Sequence, residues 1–254
     1  MFDRRLTIAW FLFGLGLLSV AAPAQTPPGQ PIDPPSAAAQ PGESDAALCA
    51  RTAREGNFKA CTRAVTDDPD DLDSRRNLAA AYLAVNDLEN TDRVHREIVA
   101  LTPDDSRAFY DYAAALSTFF EFKLAMEPIR AALRLAPDDL PTLRLAAIIF
   151  EQAKAYRDAF AAAHAGAEHG EVLLMFDTAV YYQRGLGTPA DPAAARLWFE
   201  RAADGGHVAA MEILAKIYRE GRDGAPVDAA KAKYWEMRAA DEGIPPNPPA
   251  ERTY

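Results

Sequence analysis

Pro69-Asp70-Asp71, Pro103-Asp104-Asp105 and Pro137-Asp138-Asp139 stand at intervals of 34 residues, and these three tripeptides decide the fold of the chain. Proline ends a helix because it lacks the amide hydrogen that a helix interior needs. The aspartates that follow it can cap the next helix with a side-chain oxygen and a favourable charge. Such an interval is typical of a repeated helical hairpin. We therefore predict an all-α fold, an α-solenoid of stacked antiparallel hairpins.

The helices between these prolines repeat one pattern of side chains. In the first helix of each unit, the positions expected to be large, small and large hold Leu78, Ala79 and Tyr82, then Tyr112, Ala113 and Leu116, then Ala146, Ala147 and Phe150. In the second helices, Leu88, Phe122 and Tyr156 share one register, and Ala125 and Ala159 share another. These units resemble tetratricopeptide repeats, although Thr91 and His95 occupy places usually held by alanine and an aromatic residue. The resemblance implies successive hairpins that share one core.

A longer repeat follows at residues 170–243. The segments GEVLLMFDTAVYYQRGLGTPADPAAARLWFERAADG and GHVAAMEILAKIYREGRDGAPVDAAKAKYWEMRAADEG align, so that Tyr182 matches Tyr218 and, after one inserted residue, Trp198 matches Trp235. They resemble the Sel-one-like repeat, a relative of the tetratricopeptide repeat. We expect both tryptophans to pack in the core. We also expect helix caps at Asp191 and Asp228, and positive φ angles at Gly185, Gly187, Gly221 and Gly224.

The amino-terminal residues have the layout of a secretory signal. Arg4 and Arg5 precede an apolar run from Leu6 to Ala22, which ends in the small-residue sequence Ala22-Pro23-Ala24. The predicted organisation is a cleaved signal peptide (1–24), a disordered Pro/Ala/Gln-rich linker (25–44), a short hairpin plus three tetratricopeptide-like repeats (45–169), two Sel-one-like repeats (170–243) and a Pro-rich tail (244–254). This predicts a periplasmic protein of a Gram-negative bacterium or a secreted protein. An uncleaved membrane anchor at the amino terminus is the alternative.

The charge of the chain limits its partners. The formal net charge is −10, and it becomes −11 without residues 1–24, which hold one acid and two arginines. A net acidic surface argues against nucleic acid or an anionic membrane as the partner.

The two cysteines, Cys49 and Cys61, lie six residues on either side of residue 55, in a segment that reads as helix, turn at Glu55-Gly56-Asn57, and helix. Equal distances from the bend place the side chains opposite each other if both point inward. In an oxidising compartment we expect a disulfide that staples the first hairpin. Two free thiols, or a redox or metal role, are the alternatives.

The sequence offers no recognisable active site. The histidines form no metal-ligand pattern, and neither a nucleophile motif nor a phosphate-binding loop is present, so we predict a non-enzyme without cofactor or metal. The Asp67–Asp73 cluster lacks the glycine and the terminal glutamate of a calcium loop. Some exported Sel-one-like proteins are linked to binding or hydrolysis of β-lactams, which is the enzyme alternative. Those proteins carry a cysteine pair in each repeat, whereas residues 170–243 contain no cysteine.

The first helices of a hairpin stack line its inner face, which predicts a groove. In tetratricopeptide proteins four positions of each first helix tend to face it. Here they place Arg76, Arg107, Tyr110 and Arg144 in a basic and aromatic strip, with Ile148 in the same predicted groove. Such a strip suits a peptide with an acidic group or a terminal carboxylate. Surface arginines on alanine-rich helices are also common, so a purely solvated strip is the alternative.

These features predict a non-catalytic scaffold that binds other proteins or peptide segments through the groove. A self-assembling structural repeat protein is the alternative, because the last hairpin ends in the proline tail without an evident capping helix.

Overall fold

The computed structural model describes residues 38–243. The helices are Asp45–Thr52 (α1), Phe58–Asp67 (α2), Leu72–Ala84 (α3), Leu88–Leu101 (α4), Ser106–Thr118 (α5), Phe122–Leu135 (α6), Leu140–Gln152 (α7), Tyr156–Glu168 (α8), Val172–Arg184 (α9), Pro192–Asp204 (α10), Val208–Glu220 (α11) and Ala229–Gly243 (α12). A short 3₁₀ turn, Ala53–Glu55, separates α1 from α2. Within 38–243 there is no strand, and none of the helices is long and apolar enough to cross a membrane.

Successive helices pair into hairpins, and each hairpin packs against the next. Every helix from α1 to α12 contacts its successor along the chain, and α5 also contacts α7 across the intervening helix. The odd-numbered helices are therefore the first helices of six hairpins, and the even-numbered ones are the second helices. The prediction of an all-α solenoid is confirmed.

The second aspartate of each Pro-Asp-Asp sequence caps a first helix. Side-chain oxygens of Asp71, Asp105 and Asp139 accept hydrogen bonds from the backbone amides of Asp73, Arg107 and Thr142. Each bond satisfies an amide that has no partner within the helix, and such a cap is worth ~1 kcal/mol. The 34-residue interval thus reflects three equivalent helix starts.

The core of the stack is rich in alanine, which lets neighbouring helices approach closely. Ala125 and Ala159, the small residues of the second helices, are fully buried. Thr91 and His95 also lie in the core, in the places where the repeat pattern expects alanine and an aromatic residue. The imidazole of His95 stacks on Tyr112 with a centroid distance of 5.5 Å, so it substitutes for the aromatic ring.

The loop between α9 and α10 depends on glycine. Gly187 has a φ of +73°, and a Cβ at this position would lie 2.1 Å from the carbonyl oxygen of Tyr156 at the start of α8. Asp191 then caps α10 by accepting hydrogen bonds from two backbone amides. Trp198 and Trp235 are buried, as the repeat pattern predicts.

Parts of the predicted organisation lie outside the described residues. These are the signal peptide (1–24), the larger part of the linker (25–37) and the tail (244–254). The end of the predicted linker, residues 38–44, contacts α1, because Arg51 pairs with Glu43 at 2.9 Å and donates a hydrogen bond to the carbonyl of Ala38 at 3.1 Å. This pairing holds the pKa of the Glu43 carboxyl down at about 2.

Candidate functional site on the first helices

The first helices present a common set of side chains, which we call the first-helix face. It is defined by the fifth and ninth residues of α3, α5, α7 and α9, counted from the start of each helix. The fifth residues are Arg76, Tyr110, Arg144 and Phe176, and the ninth residues are Ala80, Ala114, Ile148 and Val180. Cationic and aromatic side chains therefore alternate in one row, beside a row of small and apolar residues.

The structure brings an acid to each predicted arginine of the strip. Arg76 lies 3.4 Å from Asp73 and 3.3 Å from Asp105. Arg107 lies 2.8 Å from Asp111, and Arg144 lies 3.5 Å from Glu171. These arginines are half-exposed or more, so a ligand can reach them, but their charges are already compensated in part.

Arg107 and Tyr110 form a separate cleft. The Arg107 guanidinium lies 5.0 Å from the centre of the Tyr110 ring, an arrangement that favours the cation electrostatically. Both residues line a cleft of about 160 Å³ that is closed on the other side by Pro141. Arg76 lines a different cavity. Arg76 is thus in one depression, and Arg107 and Tyr110 are in another.

Two large apolar side chains are exposed on the first helices. Ile148 on α7 is 49% exposed, and Leu173 in the first turn of α9 is 51% exposed. Ile148 was among the predicted groove residues, whereas Leu173 and the neighbouring Phe176 were not. Phe176 stacks on His207, the cap of α11, at 4.2 Å. The 34-residue register did not identify these α9 residues. The starts of α7 and α9, Leu140 and Val172, are 32 residues apart, so α9 lies outside that register.

Beside Arg76 lies a cavity of about 430 Å³ between α3 and α5, which we call the N-terminal cavity. Ala80 and Ala114 contribute small side chains, and Ile98 of α4 contributes an apolar one. Arg76 stands at its side, and Arg54 reaches it from the 3₁₀ turn of the first hairpin. The cavity is within the range of about 300–1,000 Å³ that is typical of small-ligand pockets.

Burial shifts the pKa values of two titratable groups in this cavity. It lowers the pKa of His95 to about 4, so the imidazole is neutral at pH 7. It also raises the pKa of Asp111, against the opposing effect of the paired Arg107. Arg54 forms no ion pair with any residue of the described chain, so it is the cation that a ligand meets without competition.

A pair of acids lies further along the first helices. Burial and the nearby charge of Glu151 on α7 raise the pKa of Asp177 on α9 to about 6. Burial and the charges of Glu151 and Asp177 also raise the pKa of the Tyr181 hydroxyl on α9. The charge of Glu151 thus acts on two groups of α9, and this part of the surface carries negative charge.

The first hairpin is closed by a disulfide between Cys49 and Cys61, whose Cα atoms are 4.6 Å apart. Both cysteines are fully buried. The bond joins α1 to α2 on either side of the turn that carries Arg54. The hairpin that forms one side of the N-terminal cavity is therefore covalently fixed.

Nothing in residues 38–243 has the geometry of a metal centre, since no three His, Cys, Asp or Glu side chains come together there.

The Sel1 repeat family matches the chain at residues 173–207 and 208–244. Residues 173–244 are two Sel1 repeats. The prediction of Sel-one-like repeats in this part of the chain is confirmed, and α9 to α12 are their helices. A comparison with curated protein sequences gives no significant match.

Solved structures with the same fold include tetratricopeptide-repeat and Sel1-like proteins. YrrB, described as a TPR protein with an unusual peptide-binding site, is 17% identical, with 73% of this chain and 93% of that chain covered and a TM-score of 0.53. The c5321 antigen of uropathogenic Escherichia coli, which displays an SLR fold, is 15% identical over 80% of this chain and 47% of that chain, with a TM-score of 0.53. PilF of Pseudomonas aeruginosa is 15% identical over 78% and 89%, with a TM-score of 0.52. The chain thus has the helical-repeat fold of these tetratricopeptide-repeat and Sel1-like structures.

Proposed function

We propose that this chain is an exported, non-catalytic scaffold of the cell envelope that binds a segment of a partner protein on its first-helix face. The observation that carries the proposal is the exposure of Ile148 and Leu173 on the first helices, next to a row of small and apolar residues. A contiguous exposed apolar surface rimmed by polar groups is typical of protein-interaction sites. Alternating arginine and aromatic residues suit such a site too, because both types are enriched in interfaces.

Two features support export. The first is the sequence of residues 1–24, with two arginines, an apolar run and a small-residue motif. The second is the disulfide between Cys49 and Cys61, because disulfides persist in the periplasm and outside the cell but are rare in the cytosol.

Affinity capture from the native envelope tests the proposal. The tagged chain is compared with Ile148→Glu, which places a charge on the first-helix face, and with Leu124→Glu on α6. Ile148 and Leu124 are a matched pair, since each is 49% exposed. We expect Ile148→Glu to lose most of the captured partner and Leu124→Glu to keep it. Equal capture by all three proteins would refute binding on the first-helix face.

The alternative of head-to-tail self-assembly is disfavoured by the last hairpin. Its outer surface carries Glu212, Lys216 and Glu236 at the positions that Phe176, Val180 and Phe199 occupy in the preceding Sel1 repeat. There Phe176 stacks on His207 at the start of the next hairpin, and Phe199 is fully buried. Exposed charges oppose the burial that stacking of a further repeat requires. Light scattering at micromolar concentration should therefore give the mass of a monomer.

A further inference from the structure

We propose that the N-terminal cavity is a specificity subsite for an acidic peptide segment, in which one bulky apolar side chain enters the cavity and an adjacent carboxylate binds Arg54. This inference rests on the proposed function and adds to it the chemistry of the partner.

The shape of the cavity supports the apolar part. The cavity has a volume of about 430 Å³, and five alanines of α3 and α5 line it together with Leu83 and Ile98. On α7 the corresponding position holds Ile148. The first-helix face therefore has small side chains at Ala80 and Ala114, which leave space for a ligand, and a large one at Ile148. A bulky apolar side chain placed between the alanines would remove apolar surface from water, at about 25 cal/mol per Å².

The charges around the cavity support the acidic part. His95 is neutral at pH 7, and Asp111 is paired with Arg107 at 2.8 Å. Arg76 is shared between two acids at 3.3 Å and 3.4 Å, distances that are long for strong ion pairs. Arg54 forms no ion pair in the described part of the chain. Of the charged residues that line the cavity, Arg76 and Asp111 are already paired, so Arg54 is the one left to bind a carboxylate, in a chain whose net charge is −10.

The first hairpin makes this subsite specific to one end of the stack. Arg54 lies in the 3₁₀ turn between the disulfide-bonded cysteines, whereas the later hairpins have no element in the equivalent place within residues 38–243. The turn ends at Gly56, which has a φ of +84° and packs against Val85. The side chain that meets the carboxylate is therefore presented by a fixed turn, which lowers the entropy lost on binding.

A peptide selection tests the proposal. A random dodecapeptide library displayed on phage is selected on the full chain in its oxidised form, and the consensus peptide is then synthesised and its Kd measured by fluorescence anisotropy. We expect Asp or Glu next to Leu, Ile, Met, Phe or Trp in the consensus. A consensus without acidic residues, or one enriched in lysine and arginine, would overturn the proposal.

Matched variants locate the binding site of the consensus peptide. Arg54→Glu should raise its Kd at least tenfold, whereas Arg134→Glu, at an exposed arginine of the second helix α6, should change it less than twofold. Ala114→Trp should raise the Kd by filling the cavity, whereas Ala161→Trp on the exposed side of α8 should not.

Circular dichroism establishes that each variant is folded, and a folded Arg54→Glu variant with unchanged affinity refutes the subsite. If Ile148→Glu abolishes peptide binding while Arg54→Glu leaves it intact, the subsite is refuted and the proposed function stands.

Discussion

The guanidinium of Arg76 on α3 lies 3.3 Å from the carboxylate of Asp105, the residue that caps α5. Arg144 on α7 has the equivalent relationship with Glu171 before α9, at 3.5 Å. Two of the three predicted binding arginines, Arg76 and Arg144, therefore also connect successive first helices. Because these pairs are half-exposed, water and salt weaken them, and such pairs contribute about 0–1 kcal/mol to stability.

We expect Arg76→Ala and Arg75→Ala to differ sharply in stability. The side chain of Arg76 is 44% exposed, whereas that of the adjacent Arg75 is 10% exposed, donates to the carbonyl of Pro69 and lies 3.5 Å from Glu97. Arg76→Ala should lower the free energy of unfolding by less than ~1 kcal/mol, and Arg75→Ala should lower it by about 2–4 kcal/mol. Urea denaturation of the two variants measures both values, and equal losses would contradict this assignment of roles.

Reduction of the disulfide should destabilise the first hairpin. The bond between Cys49 and Cys61 closes a loop with a sequence separation of 12 residues, and a loop of this length is worth about 3 kcal/mol in the chain-entropy model. We expect the variant with both cysteines replaced by alanine to show faster amide hydrogen exchange in α1 and α2, with little change in α9 to α12. Thiol titration of the exported protein under denaturing, non-reducing conditions is the control. Two titratable thiols would show that the bond does not form in the cell.

A pair of glycine variants separates backbone conformation from steric fit. Gly187 and Gly170 both have positive φ angles, +73° and +89°, so alanine is strained at either position. Only at Gly187 does a Cβ meet a neighbour, the carbonyl oxygen of Tyr156 at 2.1 Å, whereas nothing lies within 4 Å at Gly170. Gly170→Ala should cost ~1 kcal/mol and Gly187→Ala about 3 kcal/mol, because the loop must also move away from α8. Thermal denaturation of the two variants decides it.

The fold could be predicted because its determinants are local in sequence. The Pro-Asp-Asp sequences mark helix ends and caps, and the cysteines of the first hairpin are symmetric about its bend. In contrast, the sequence did not predict that acidic residues pair with the arginines of the strip. Asp105 and Glu171, which pair with Arg76 and Arg144, lie 29 and 27 residues away and meet them only when the hairpins stack.

The extent of the candidate site was also hidden from the sequence. The register of 34 residues ends at α7, and Phe176 enters the row only when counted from the observed start of α9 at Val172. Arg54 belonged to a hairpin that the repeat pattern does not describe, so nothing in the sequence placed it beside Ala80 and Ala114. Phe176 and Arg54 were therefore not predicted, and both lie where the length of the repeat changes.

The buried His95 should make stability depend on pH in the acid range. Burial lowers its pKa from about 6.5 to about 4, so the folded chain holds a neutral imidazole where the unfolded chain already binds a proton. The stabilisation is present above pH 6.5 and is lost as the pH falls towards 4.

The variant His95→Phe tests this, because a phenylalanine ring can take the place of the imidazole on Tyr112 but cannot titrate. We expect urea denaturation to show that the variant loses about 2 kcal/mol less than the wild type between pH 7 and pH 4.5. His169→Gln, at an exposed histidine, is the control and should follow the wild type, whereas parallel curves for wild type and His95→Phe would show that His95 titrates normally in the folded chain.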